Sequence, residues 1–136
     1  FNEIRAHTYY TYHLLDAIPQ FDTIKIWAAY HHEKLNGTGY PFHIKEDNLP
    51  LGSRVMAVAD VFTAITEDRP YRRGMDDEQA IKVLNKMVAE GALDRMVVEV
   101  LLDHFQEINT LRQQAQQEAA ERYDRFLQTG GLLATV

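Results

Sequence analysis

The sequence predicts an all-α protein, and three observations carry that prediction. Apolar residues recur at the three- and four-residue spacing of a helix almost everywhere. Helix start and stop signals fall at intervals that suit about five helices. Glycine and proline break the pattern chiefly in one loop, from Leu35 to Pro50.

The elements follow in order. Asn2 caps a first helix running to about Ile18, with Ile4, Leu14, Leu15 and Ile18 as its inner stripe and Pro19 after its end. Asp22 caps a second helix that carries Ile24, Trp27 and Ala28 toward His31. After the loop, Pro50 fits the first turn of a third helix, whose Val55, Val58, Phe62 and Ile65 share a face. Arg69 to Gly74 reads as a short basic turn. Asp76 with Gln79 resembles a capping box that opens a fourth helix through Ile81, Leu84 and Val88, stopped by Gly91. Asp94 begins a last helix through Val97, Leu101, Phe105, Ile108 and Leu111. Continued to Gln128, that helix would be about 50 Å long. It would then outrun a small domain, so residues 1–111 are expected to form the domain and 112–136 a projecting helix end with a frayed tail from Thr129.

Composition excludes several classes. A chain of 136 residues suits one compact domain or a large piece of one, and 46% apolar content excludes a disordered tail. No stretch approaches the roughly 20 apolar residues that cross a bilayer, and no basic-then-apolar leader opens the chain. Phe1 at the start suggests a chain processed or excised from a longer one. Cysteine is absent, so neither a disulfide nor a thiolate metal site can form, and any metal must rest on His, Asp and Glu. A net charge of −6 opposes adhesion to DNA or to anionic membranes, so neither is expected as a partner.

The densest chemistry is His31-His32-Glu33, running into Gly37-Thr38-Gly39-Tyr40-Pro41. Neutral imidazoles suit Fe, Mn or Zn, and adjacent helical residues point about 100° apart, as two metals or one metal at a helix end require. A His-His pair alone is more often a polar pair before a loop. The context is more specific, because His31, His32, Glu33, Gly37, Gly39, Tyr40 and Pro41 reproduce an HHE-x3-GxGYP pattern. Seven fixed positions match by accident on the order of once in a billion tries. On these residues the chain resembles the bacterial HD-GYP family. Leu49-Pro50-Leu51-Gly52, Ala57-Val58-Ala59-Asp60 and Asp68-Arg69-Pro70-Tyr71-Arg72 continue the match in register, from about His7 to Ala80.

The resemblance implies an HD-domain helical bundle, incomplete at its N-terminus, and a hydrolase that opens cyclic di-GMP. The product is linear pGpG, which some members cleave on to GMP. Two or three divalent metal ions are implied, with Fe or Mn favoured. By motif position the ligands correspond to His7, His31, His32 and Asp60; family members often have proline after the lone histidine, where Thr8 stands here. Pattern alone leaves Asp60 even between a ligand and a solvated stripe with Ser53, Thr63 and Glu67. Arg69 and Arg72 match phosphate-binding positions, as guanidinium forks allow, although such a run is more often a solvated loop when taken alone. Tyr40 would stack on a base or hold the loop. Gly37 and Gly39 would permit backbone angles denied to other residues. Asn36 stands where the family usually has aspartate. His13, His43 and His104 match no ligand position.

A complete family site also needs a His-Asp dyad and the lysine after it. No His-Asp dipeptide occurs in these 136 residues. The dyad is expected before Phe1, and the isolated chain is expected to turn over little or no substrate, so no catalytic residue is assigned. Cyclic di-GMP, GGDEF-domain proteins through the Gly37–Pro41 loop, and a homo-oligomer are the expected partners. The expected setting is the cytoplasm, as a lone enzyme or as part of a larger sensory protein. A non-catalytic module that binds the dinucleotide or a GGDEF partner is the alternative. An HD phosphohydrolase acting on another cyclic nucleotide is a third reading, which the GYP signature disfavours.

Overall fold

The computed structural model describes residues 2–69 and 71–128; Phe1, Pro70 and the tail from Thr129 lie outside the described residues, as do the side chains of Asn2, Glu3, Ile4 and Asp47. The described residues form six helices: α1 (Asn2–Asp16), α2 (Asp22–Tyr30), α3 (Leu51–Thr66), α4 (Asp77–Ala89), α5 (Arg95–Asp103) and α6 (Phe105–Gln128). They contain no β-strand, only isolated bridges at Asn36–Lys45 and Arg69–Arg72. The all-α expectation therefore holds, with one helix more than the spacing suggested.

Two compact units divide the chain, residues 1–102 and 103–136. In the first, α1 packs on α2, α2 on α3 and α3 on α4. Its core joins Ala29, Ala57, Val58, Phe62, Leu84 and Val98. Burying one such Leu or Phe contributes about 1.5–3 kcal/mol. Gly52 sits where α3 crosses α2, and a Cβ there would lie 2.1 Å from the Trp27 ring, so only glycine lets the two helices approach this closely.

The sequence signals at helix ends were good guides where a side chain does the capping. Asp76 accepts from the Gln79 amide at 2.9 Å, and Asp94 accepts from the Val97 amide at 3.2 Å. Gly91 ends α4 at a φ of +66°. Asp22 behaves differently. It lies inside the first turn of α2, Phe21 holds the cap position without a side-chain bond, and the Asp22 carboxylate takes a bond from Lys25 Nζ at 3.1 Å.

Four expectations about faces and lengths are corrected. The long last helix is two helices, because the chain leaves the helical path at His104. Its carbonyl accepts the first bond of α6, from the Ile108 amide at 3.0 Å, and its ring lies 3.4 Å from Glu107. Helix α1 ends at Asp16, and Leu14 and Ile18 are exposed; the buried position is Thr8, whose hydroxyl bonds the Arg5 carbonyl at 3.1 Å and so needs no water. Val55 is exposed too, because α3 turns Ser53, Ala57, Val58, Phe62 and Thr66 inward instead. Ser53 is 1% exposed, with its hydroxyl 3.5 Å from the Ile26 carbonyl, so the idea of a solvated stripe through Ser53 fails.

Candidate metal centre

The loop that follows α2 is held by buried polar contacts rather than by regular structure. Glu33, 2% exposed, accepts from three backbone amides: Phe42 (2.6 Å) and His43 (3.1 Å) on one oxygen, Ile44 (3.1 Å) on the other. A buried carboxylate is costly unless its charge meets donors. Here three amides supply them, and the loop folds around the acid. Gly39 passes so close that a Cβ would sit 2.4 Å from the Glu33 Cα. The reason for glycine at 39 is therefore space, whereas Gly37 needs the left-handed angle, φ +76°. The Tyr40–Pro41 peptide is cis.

Further anchors tie the loop to the rest of the first unit. Asn36 Nδ2 donates to the Glu90 carbonyl at 3.1 Å, a bond an aspartate could not make, while its Oδ1 accepts from Thr38. Arg54 donates to the Leu49 and Glu46 carbonyls at 2.7 and 2.9 Å and pairs with Asp94 at 3.1 Å. These contacts fix where α2 hands over to the loop, which is where His31 and His32 stand.

Three histidines meet there. His7 from α1, with His31 and His32 at the end of α2, offer ligand nitrogens that all lie within 4.8 Å of one another. The ring centroids are 5.5 Å (His7–His31), 5.2 Å (His7–His32) and 4.0 Å (His31–His32) apart. Asp60 of α3 joins them, its Oδ2 3.3 Å from His32 Nδ1. All four side chains that the sequence marked as ligands are thus brought to one place. An open cleft of about 520 Å³ adjoins them, lined by Thr11, Ala28, His31, Met56, Asp60 and Thr63 among others.

The electrostatics favour ligation. Burial holds the His31 imidazole below its ordinary pKa, reinforced by His32 and His7 and opposed by the Ala28 carbonyl and Asp60. Its Nδ1 lies 2.6 Å from the Ala28 carbonyl, which fixes the proton on that nitrogen and points a lone pair from Nε2. The hydrogen bond from His32 holds Asp60 below the usual carboxylate range, against the desolvation that raises it. Neutral imidazoles beside an ionised carboxylate are the donor set that divalent Fe, Mn or Zn accepts. Nitrogens on one tetrahedral ion lie about 3.4 Å apart, so the three rings, whose nitrogens lie within 4.8 Å of one another, would have to close in to share a single ion.

The other marked residues surround this cluster. The Tyr40 ring is 4.8 Å from His32, and burial pushes its phenol up, offset by the charge of Arg5. Tyr71 chiefly, and then Glu67 at 3.7 Å, hold the Arg69 guanidinium charged, with Asp60 a lesser influence, while the Arg72 guanidinium donates to the Ala64 carbonyl at the end of α3. His13 belongs to an aromatic group with Tyr9 and Tyr12, and His43 gives its amide to Glu33; neither joins the cluster. His104 pairs with Glu107 within the second unit. Sequence reasoning missed Arg5, whose guanidinium carbon lies 5.2 Å from the Tyr40 ring centre, and the Ala28 carbonyl. No spacing rule could have found the Arg5–Tyr40 contact, since it joins residues far apart in the chain.

Residues 1–97 match the HD domain family. That is most of the chain, and the protein belongs to the HD domain family, with the HD-GYP signature at its centre. It is 40% identical over 81 residues to 3′3′-cGAMP-specific phosphodiesterase 1 of Vibrio cholerae, covering 60% of this chain and 19% of that protein. To 3′3′-cGAMP-specific phosphodiesterase 3 of the same organism it is 37% identical over 83 residues, or 61% and 18% of the two chains. A cyclic di-GMP phosphodiesterase of Pseudomonas aeruginosa is 47% identical over 55 residues, covering 40% and 13%. The chain thus spans less than a fifth of the length of these relatives.

Proposed function

We propose that this chain carries part of the site of a metal-dependent phosphodiesterase that opens cyclic di-GMP to linear pGpG, with GMP as a further product. The observation that supports it most is the convergence of His7, His31 and His32 with Asp60. In this reading those four residues hold divalent ions, two or three in number, with Fe or Mn favoured by the family resemblance; the imidazole-rich, thiolate-free donor set suits Fe or Zn. A bound ion supplies Lewis acidity toward a phosphoryl oxygen and an attacking water. Arg69 and Arg72 take phosphate oxygens and offset the charge that builds as the diester opens. Arg72 already gives one donor to Ala64 and Arg69 already pairs with Glu67, so each would offer its remaining donors. Tyr40 offers a ring to a base or bounds the pocket beside His32.

One observation favours a second substrate. Relatives at 37–40% identity are named for 3′3′-cGAMP and others at 37–47% for cyclic di-GMP. The GYP signature therefore no longer disfavours another cyclic dinucleotide, and 3′3′-cGAMP stands as the alternative. We further infer a cytoplasmic setting, contact with GGDEF-domain proteins through the Gly37–Pro41 loop, and self-association through exposed apolar side chains. Among the described residues no helix is long and apolar enough to cross a membrane.

The test is hydrolysis of both dinucleotides, followed by chromatography of the products, in the longer parent protein and in the 136-residue chain. Metal-dependent turnover by the parent is expected, lost in His31→Ala and Asp60→Ala, with little turnover by the short chain alone. Binding of the dinucleotide without turnover by the parent would instead indicate a non-catalytic module. Parent turnover that survives both substitutions and a chelator would overturn the assignment.

A further inference from the structure

The open cleft beside the histidine cluster contains groups that the metal reading leaves unused. His31 and Asp60 line it, and so do Thr11 of α1 and Met56, Ala59 and Thr63 of α3. Met56, Ala59, Asp60 and Thr63 share one face of α3, at the three- and four-residue spacing of a helix. Thr11 stands one helical turn after His7 and so shares its face of α1. At about 520 Å³ the cleft falls within the roughly 300–1,000 Å³ of small-molecule sites. Three other helical threonines, Thr8, Thr66 and Thr110, turn the hydroxyl onto a carbonyl of their own helix, at 3.1, 2.6 and 2.8 Å. Among the described residues, Thr11 and Thr63 make no such bond, so both hydroxyls are available to a guest.

A phosphodiester held at the cluster brings its nucleoside with it. The sugar is bonded directly to the phosphate that is cleaved, so it must lie in space continuous with the ligands. The cleft is such a space, because it shares His31 and Asp60 with the cluster. Its wall has the matching chemistry. Met56, 43% exposed, offers a polarisable apolar surface beside Ala59 against which the flat face of a purine can lie. A threonine hydroxyl both donates and accepts, as ribose hydroxyls and the edge of a base require. Resting on the phosphodiesterase reading above, we propose that this cleft is the subsite for the nucleoside next to the cleaved phosphate, with Thr11 and Thr63 as its hydrogen-bonding residues. The two threonines then favour dinucleotides over simple diesters.

The experiment compares wild type with two double variants of the parent protein, Thr11→Val with Thr63→Val and Thr11→Ser with Thr63→Ser. Valine keeps the volume and removes the hydroxyl; serine keeps the hydroxyl. The substrates are cyclic di-GMP and bis(p-nitrophenyl) phosphate, a diester with neither ribose nor purine. Binding of cyclic di-GMP is also measured by calorimetry after metal has been removed with chelator. The valine pair should lower kcat/KM on the dinucleotide about tenfold relative to the simple diester, mainly through KM. It should weaken metal-free binding by a similar factor, and the serine pair should recover most of both losses. Equal losses on both substrates, no loss on the dinucleotide, or a serine pair as impaired as the valine pair would overturn the subsite. If wild type cleaves neither substrate, the phosphodiesterase reading fails by itself. The binding measurement then decides the subsite: weaker binding by the valine pair upholds it, and unchanged or undetectable binding overturns it.

Discussion

Glu33 shows how one residue can set the geometry of a site without being a ligand. It follows His32 directly, yet its carboxylate points into the fold and organises the loop that brings Tyr40 beside the His32 ring. Removing it leaves three amides without their acceptor, so Glu33→Ala should cost about 3 kcal/mol in urea denaturation. Glu33→Gln keeps one acceptor oxygen but sets an amide group against the Ile44 N–H or the Phe42 and His43 pair. Its loss should be about half that of Ala. Wild-type stability in both variants would mean the loop is held elsewhere. The motif marked Glu33 in the sequence, but only the fold separates its role from that of its histidine neighbours, because an acid beside two imidazoles reads equally well as a ligand.

Between elements, the α1–α2 junction rests on a charged pair with a clear pH signature. Lys25 is nearly buried, bonds Asp16 at 2.7 Å and Asp22 at 3.1 Å, and lies 5.1 Å from the Tyr12 ring centre. The hydrogen bond and charge of Lys25 hold Asp16 below its ordinary pKa, and the two aspartates raise Lys25. Asp16 therefore stabilises the fold above the ordinary aspartate pKa of about 3.9, and that contribution is lost as pH falls below it. Lys25 contributes below its ordinary pKa of about 10.4 and loses its contribution as pH rises beyond that value. Melting curves should show wild type losing more Tm from pH 5 to pH 3 than Asp16→Asn does. Parallel losses would show that the pair is not coupled to folding. At this scale the sequence was readable where a side chain caps a helix, as at Asp76 and Asp94. It was unreadable where tertiary contact decides: nothing in Asp103-His104-Phe105 resembles a helix stop, and no pattern says that Gly52 must clear the Trp27 ring.

At the scale of the molecule, the fold exists to bring residue 7, residues 31 and 32, and residue 60 to one point from three helices and a loop. The candidate ligands were legible because imidazoles and a carboxylate stood in a recognisable register. Their mutual distances were not, since those depend on how α1 crosses α2 and how α3 presents Asp60 beside His32. Two positions of the inner stripe expected of α1 failed for the same reason: Leu14 and Ile18 face outward, while Thr8, next to His7, is buried. The most direct test is an anomalous difference map from crystals of the protein grown with Mn(II) or Fe(II), recorded at the metal's absorption edge. A peak about 2.0–2.3 Å from nitrogens of His7, His31 and His32, or from an oxygen of Asp60, is expected. A fully loaded protein whose peaks lie away from all four residues would contradict the account.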